Sequence, residues 1–279
     1  MTSALSLFEN EARLTSQIRR RLQARCLQQK LRSAYADCSL PSSAVLFLLG
    51  MHRFPERSHP EPCLIFNERS QQVRQPGDLC FPGGGIMPRF DPILARLLTL
   101  PGSPLSRWPH WSTWQRTDPK AARRIALCLA TGLRESFEEM RLNPFGITFL
   151  GPLPPEQLIM FRHVIFPVVG WLGRQKSFKP NWEVAKIVRM PLRDFCNPGN
   201  YALFRLTYEG TARNVTRHNA SDFISFTPRQ DTGTAPLWGA TFRIVLTFLE
   251  TVFGFQPPEM SSLPVVSGRL DRHYTTGKP

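Results

Sequence analysis

The stretch from Asp118 to Pro144 constrains this chain more than any other. Asp118-Pro119 is a helix start signal, with Asp118 as N-cap and Pro119 at the first helical position. Ala122, Ile125, Ala126, Leu129, Leu133, Phe137 and Met140 then recur at spacings of three and four, which predicts a long helix with a core-facing stripe, ending near Asn143-Pro144. At 100° per residue, Glu135, Glu138 and Glu139 gather on the other side, so they are expected to point away from the core. Like charges at these spacings oppose one another by roughly 0.2–0.5 kcal/mol per pair. A solvated face or a bound cation would relieve that repulsion, and from the helix alone both readings stand. Magnesium, a hard ion that takes oxygen ligands and shares them with phosphates, is the matching cation.

The rest of the chain bounds the class. With 42% hydrophobic and 20% charged residues it is globular and not disordered, and 279 residues suffice for a substantial core. A formal charge of +14 favours anionic partners: a small polyphosphate, an acidic membrane surface or a nucleic acid. No basic strand rich in aromatics accompanies the charge, so a nucleic acid is the least supported of these. The six cysteines form no C-x-x-C pair and have no histidine cluster beside them, so neither a zinc site nor a disulfide framework is supported. Cys63, Cys80 and Cys128 sit in apolar surroundings and are expected to be buried thiols. No apolar run is long enough for a membrane span. Met1 to Arg19 lacks the apolar block of a signal peptide, so a cytoplasmic protein is expected.

Three regions are expected along the chain. Residues 1–42 form an N-terminal helical segment, with Leu7, Leu14, Ile18, Leu22, Cys26 and Leu31 at helical spacing. Residues 43–255 form the main domain, and 256–279 a flexible tail dominated by prolines, serines and charges. Within the domain, Ala44–Met51 and Pro62–Asn67 suit a hairpin with a long loop, and a short strand runs into Phe81. Ile147–Leu150, Val164–Leu172, Glu183–Arg189, Leu203–Tyr208 and Phe223–Phe226 read as further strands, and Leu237–Phe253 as a second long helix. Residues 86–118 are anomalous: proline-rich, with Trp108, Trp111 and Trp114 and only a short helix-like piece from Ile93 to Leu100. A connection of this length is expected to be functional or mobile, as a lid or flap beside the site. The order of elements implies an α+β or α/β/α arrangement with a mixed sheet between helices.

Gly83-Gly84 followed by Arg134-Glu135-x-x-Glu138-Glu139 resembles the signature of the Nudix hydrolases. The run from Leu64 through Arg69-Ser70, Arg74, Gly77 and Phe81-Pro82-Gly83-Gly84 is similar to the accessory motif of coenzyme A pyrophosphatases. Leu150-Gly151-Pro152-Leu153, Phe166-Pro167-Val168-Val169-Gly170, Glu183-Val184-Ala185 and Trp238-Gly239-Ala240-Thr241 follow in the same order, so the resemblance spans about residues 43–255. There are departures. The two halves of the signature are 49 residues apart, so about 86–118 looks like an insertion that splits it. Ala126 stands where the general signature has a glutamate, and the spacing from Arg74 to Gly77 is one residue short. Arg141 replaces a glycine after the second glutamate, which is expected to let the helix run slightly further.

The resemblance implies a Nudix-like α/β/α sandwich of α+β class, with extra N-terminal helices and the inserted segment. It implies a magnesium- or manganese-dependent hydrolase that splits coenzyme A or an acyl-CoA into 3′,5′-ADP and an (acyl-)4′-phosphopantetheine. Two alternatives accompany it: a Nudix hydrolase of another nucleoside diphosphate derivative, and a non-catalytic nucleotide- or RNA-binding module. By resemblance Glu135, Glu138 and Glu139 are metal ligands, and Glu135 is also a candidate to orient or deprotonate water. Arg134 would hold Glu138 at i,i+4, with an ordinary surface ion pair as the plainer reading. Arg69, Ser70 and Arg74 are candidate substrate-binding residues, with salt bridges at a strand end as the alternative, and Gly83 and Gly84 would let backbone approach phosphate or metal. Glu183 is a candidate remote ligand or base. The implied partner is a small nucleoside diphosphate derivative, and a homodimer is compatible with it.

Overall fold

In a computed structural model of the protein, the residues described are 6–26, 28–158, 162–175, 177–208, 221–227, 235–270 and 274. The helices are α1 (Glu11–Cys26), α2 (Gln29–Ala36), α3 (Asp91–Leu97), α4 (Trp111–Thr117), α5 (Pro119–Met140) and α6 (Gly239–Phe253). The strands are β1 (Ser42–His52), β2 (Glu61–Arg69), β3 (Leu79–Cys80), β4 (Gly83–Gly85), β5 (Ile147–Pro152), β6 (Glu156–Leu158), β7 (His163–Leu172), β8 (Val184–Pro191), β9 (Tyr201–Tyr208), β10 (Ser221–Phe226) and β11 (Val265–Leu270).

The architecture is α+β around a mixed sheet. β1 runs antiparallel to β2 and β4 and parallel to β7, while β5 and β6 pair antiparallel with β7, and β3 and β8 with β2. Because side chains alternate along a strand, β1 serves two cores. Ala44, Leu46 and Leu48 join the face covered by α2 to α5, and Phe47 and Leu49 join the face covered by α1 and α6. β9, β10 and β11 form a second sheet, whose Tyr201 and Phe226 pack with Phe195 and Phe242 in the latter core.

Several expectations change here. α5 starts as expected, with the Asp118 side chain accepting from the Ala121 N–H at 3.0 Å. It ends earlier than the missing glycine suggests, because Arg141 itself takes the left-handed conformation at φ 56. The Arg141 guanidinium lies 5.0 Å over the ring of Phe137, a contact that favours this exit from the helix. Phe137, assigned to the core stripe, is exposed. The helix is buried nearly all round, because the N-terminal and inserted segments cover the side that periodicity assigned to solvent.

The insert is not a flap. Trp108, Trp111 and Trp114 are buried, with Trp108 edge-on to Phe149 at 4.9 Å and Trp114 beneath the Arg32 guanidinium at 5.3 Å. The stretch expected as a flexible tail also differs. Residues 265–270 form β11, parallel to β9, and the Tyr274 hydroxyl donates to Asp78 Oδ2 at 2.6 Å. Residues 271–273 and 275–279 lie outside the described residues. The free edge of β9 supplies the template for a short Val-Val strand whose local signal is weak among prolines and serines.

Candidate active site

The site forms where the last turns of α5 meet β2, β3 and β4. A cleft of about 190 Å³ is lined by Asn67, Arg69, Val73, Cys80, Gly83, Gly84, Glu135, Glu139, Glu183 and Val184. That volume suits a diphosphate with its cations, and is smaller than the roughly 300–1,000 Å³ that encloses a whole drug-sized ligand. The remainder of any larger substrate would therefore lie outside it.

The glycine turn fits the glutamate helix through missing side chains. β4 pairs with β1 so that Gly83 faces Val45 and Gly84 faces Ala44. A Cβ on Gly83 would come within 2.4 Å of the Ala44 carbonyl oxygen, and one on Gly84 within 2.4 Å of Glu135 Oε1. Gly84 is thus the cradle of a carboxylate, and any side chain there would displace it.

Glu139 does not point into solvent as the helical pattern suggests. It is only 9% exposed and accepts a hydrogen bond from Asn67 Nδ2 at 2.7 Å. Burial, reinforced by the negative charges of Glu135 and Glu183, pushes its carboxyl up to about 8, against the opposing effects of a Gly83 backbone hydrogen bond and of Arg69. Burial raises Glu135 as well, although Arg134 opposes this. Glu138 turns outward, 51% exposed, and pairs with Arg134 at 3.0 Å. The structure therefore brings Glu135, Glu139 and Glu183 to one cleft and leaves Glu138 at its rim.

Arg134 is the hub beneath these groups and is buried, which removes the reading of an ordinary surface pair. Its Nε donates to Asp91 Oδ1 at 2.7 Å, its Nη1 to Glu138 at 3.0 Å and its Nη2 to the Gly85 carbonyl at 3.1 Å, and it lies 3.0 Å from Glu135. Burial alone would raise the Asp91 carboxyl. Hydrogen bonds from Arg134, the Met87 N–H and the Thr131 hydroxyl outweigh it and hold the group below its ordinary value. Asp91 comes from the insert, so the segment that splits the motif also supplies the anchor of its arginine.

The candidate substrate residues divide. Arg69 lines the cleft, and its Nε donates to the Arg74 carbonyl at 2.7 Å, tying down the loop after β2. Arg74 itself is exposed and outside the cleft lining. Ser70 is also outside it; its N–H donates to the Glu183 carbonyl at 2.8 Å and its hydroxyl accepts from the Gln72 N–H. The same loop is held from behind by Asp78, which accepts from Trp238 Nε1 at 3.2 Å and from Tyr274. Cys63 and Cys128 are buried, whereas Cys80 is half-buried and lines the cleft.

Sequence reasoning missed Asn67, Asp91 and Asp78. For Asn67 a signal existed: one amide in an otherwise apolar strand, Pro62-Cys63-Leu64-Ile65-Phe66-Asn67. For Asp91 no local signal distinguishes it from a loop residue.

Among the described residues, no three His, Cys, Asp or Glu side chains converge as a ready-made metal cage. The donor set nevertheless suits a hard cation. The Glu139 and Glu135 carboxyls, raised chiefly by burial and further by neighbouring negative charge, offer oxygen ligands, and Asn67 Oδ1 is buried without a hydrogen-bond partner among the described residues.

No protein-family model matches the chain. An uncharacterised Nudix hydrolase, NudL, of Pectobacterium atrosepticum is 29% identical over 189 residues, covering 67% of this chain and 73% of that protein. The mouse peroxisomal coenzyme A diphosphatase NUDT7 is 29% identical over 151 residues, 53% of this chain, and the chain spans about half of that relative, 48%. Among solved structures, a C. elegans Ap4A hydrolase aligns with a TM-score of 0.34 at 12% identity, over 56% of this chain and 83% of that one. A MutT/nudix family protein from Enterococcus faecalis gives 0.38 at 10% identity, over 78% and 63%. A glycine turn paired with β1 and locked onto a glutamate helix defines the class of fold and site, an α+β fold with a carboxylate-lined cleft. Both curated relatives are Nudix hydrolases, and at 29% identity they are what this chain is similar to.

Proposed function

We propose that the protein is a divalent-metal-dependent diphosphatase whose substrate is coenzyme A or an acyl-CoA. The observation that carries this reading is the cleft in which the buried, proton-retaining Glu139 stands with Glu135 and Glu183 opposite the cation of Arg69. Such a cluster is poorly satisfied without a cation and has the oxygen donors that magnesium or manganese take. Glu135 and Glu139 would hold the ion, with Glu138 and Glu183 within the same acidic surround. When bound, the ion would neutralise charge on the diphosphate oxygens and acidify water.

The chain's own residues supply the remainder. Arg134 fixes Glu135 and Glu138 from below, anchored by Asp91, so the carboxylates keep their places as charge changes above them. Gly84 leaves the space that Glu135 occupies. Arg69 offers donors to a phosphate, and Glu135 or Glu183 would take the proton of the attacking water. Water adds across the P–O–P link, giving two phosphate monoesters; from coenzyme A these are 3′,5′-ADP and 4′-phosphopantetheine.

The coenzyme A reading is supported by the Arg69-Ser70…Phe81-Pro82-Gly83-Gly84 motif and by the name of the mouse relative. The test is a product-resolved assay of the purified protein, with magnesium or manganese, against coenzyme A, an acyl-CoA, NADH, ADP-ribose and diadenosine polyphosphates. Cleavage of coenzyme A species is expected to lead by at least about tenfold in kcat/KM. Efficient cleavage of ADP-ribose or NADH with none of coenzyme A would reject the substrate and keep the diphosphatase. Full activity in a chelator would reject both.

A further inference from the structure

Among the described residues, five exposed large apolar side chains fall within fourteen positions: Met87, Phe90, Ile93, Leu97 and Leu100, each 47% to 56% exposed. The stretch is helical beyond the bounds of α3. Backbone hydrogen bonds run from the Asp91 N–H to the Met87 carbonyl at 3.0 Å, and on to the Leu100 N–H donating to Leu97 at 3.1 Å. At 100° per residue, Phe90, Ile93, Leu97 and Leu100 lie within about 80° of one another, opposite the buried Asp91 and Ala95 that face α5.

Charge completes the pattern. Between residues 86 and 117 the sole carboxylate is Asp91, which is fully buried and committed to Arg134. Arg89, Arg96, Arg107 and Arg116 are all exposed, and Arg89 and Arg96 border the apolar stripe. The face is therefore apolar at its centre, and no exposed acid of the segment offsets its positive rim.

We propose that this face of α3 docks the protein on an anionic lipid bilayer. The stripe is convex, so it cannot enclose a soluble ligand. A bilayer interface accepts such a helix side-on, with apolar side chains at the acyl boundary and arginines at the headgroup phosphates. Pairing with a second copy would bring two sets of arginines together with no exposed carboxylate on the segment to meet them, and the net charge of +14 adds repulsion of the same sign. The inner side of the same helix holds Arg134 through Asp91. Docking would thus set the cleft about one helix diameter, roughly 10 Å, from the membrane surface. The inference does not depend on which diphosphate is cleaved.

The test is co-sedimentation of the full chain with vesicles of equal parts phosphatidylcholine and phosphatidylglycerol, and with vesicles of phosphatidylcholine alone. Binding to the mixed vesicles only, weakened by salt, is expected. Ile93→Asp with Leu97→Asp should cut it by about tenfold or more, and Arg89→Gln with Arg96→Gln should remove much of its salt dependence. Both pairs are exposed, so an unchanged thermal midpoint verifies the fold. No binding by the wild type overturns the proposal. Equal binding by the aspartate variant also overturns it, since the basic surface as a whole would then be responsible. A dimer that the aspartate variant dissociates, without vesicle binding, would assign the face to a second copy instead.

Discussion

Replacing Glu139 with glutamine should separate the stability of this protein from its activity. In the metal-free fold the Glu139 carboxyl is held up to about 8, against an ordinary value of 4.5. The native state keeps this proton while the unfolded chain loses it above pH 4.5, so rising pH favours the unfolded state across that window. The cost is absent at low pH, grows as pH climbs from 4.5 to 8, and is constant beyond. A displacement of that size corresponds to an upper bound of roughly 4–5 kcal/mol, less whatever the neighbouring Glu135 carboxyl, itself raised by burial, relieves by titrating in turn. Glutamine has nearly the same shape, its carbonyl can still accept from Asn67, and it carries no charge. In a chelator, Glu139→Gln should therefore match the wild type near pH 5 and exceed it by several kcal/mol at pH 9, as read by denaturant unfolding at both pH values. With magnesium the order reverses: the wild type gains stability and turns over, whereas the variant gains little and loses roughly two orders of magnitude in kcat. Parallel pH profiles for the two proteins in a chelator, or near-normal turnover by the variant, would refute the reasoning.

Because metal must displace the Glu139 proton, magnesium affinity measured by calorimetry should rise with pH up to about 8 and level off above it; a flat profile would count against Glu139 as a ligand. Asp91→Ala strips the buried Arg134 of its 2.7 Å partner and should destabilise the fold by about 3–5 kcal/mol in urea unfolding, where a loss below about 1 kcal/mol would show the pair to be dispensable. Gly84→Ala puts a methyl group within 2.4 Å of Glu135 Oε1, the end of a flexible side chain, so turnover should drop by roughly a hundredfold while the thermal midpoint holds. Trp114→Ala should cost roughly 3–5 kcal/mol, as expected for a core aromatic and not for a lid residue; unchanged stability with altered Michaelis constants would restore the lid.

Much of the chain's organisation could be read locally, because the signals there are short-range. Asp118-Pro119 marked the start of α5, the strand-length apolar runs marked β1, β2, β5 and β7, and the glycine turn and glutamate helix carried the family resemblance. Tertiary structure decided what surrounds those elements. Helical periodicity sorts residues into two faces, yet it cannot tell how many of them other elements will cover; α5 is covered on both sides, so Glu139 became a buried carboxyl and Phe137 an exposed ring. The insert was legible as an interruption only. That its tryptophans fill a core, and that Asp91 reaches Arg134 across 43 residues of sequence, are long-range facts that no local pattern encodes. The same holds for β11, which exists because β9 offers an open edge, and for Tyr274, which reaches the loop after β2 from the far end of the chain. Covalent order specifies which groups are available. Which carboxylates share a cleft, and at what proton affinity, is determined by burial and by the charges that folding brings alongside.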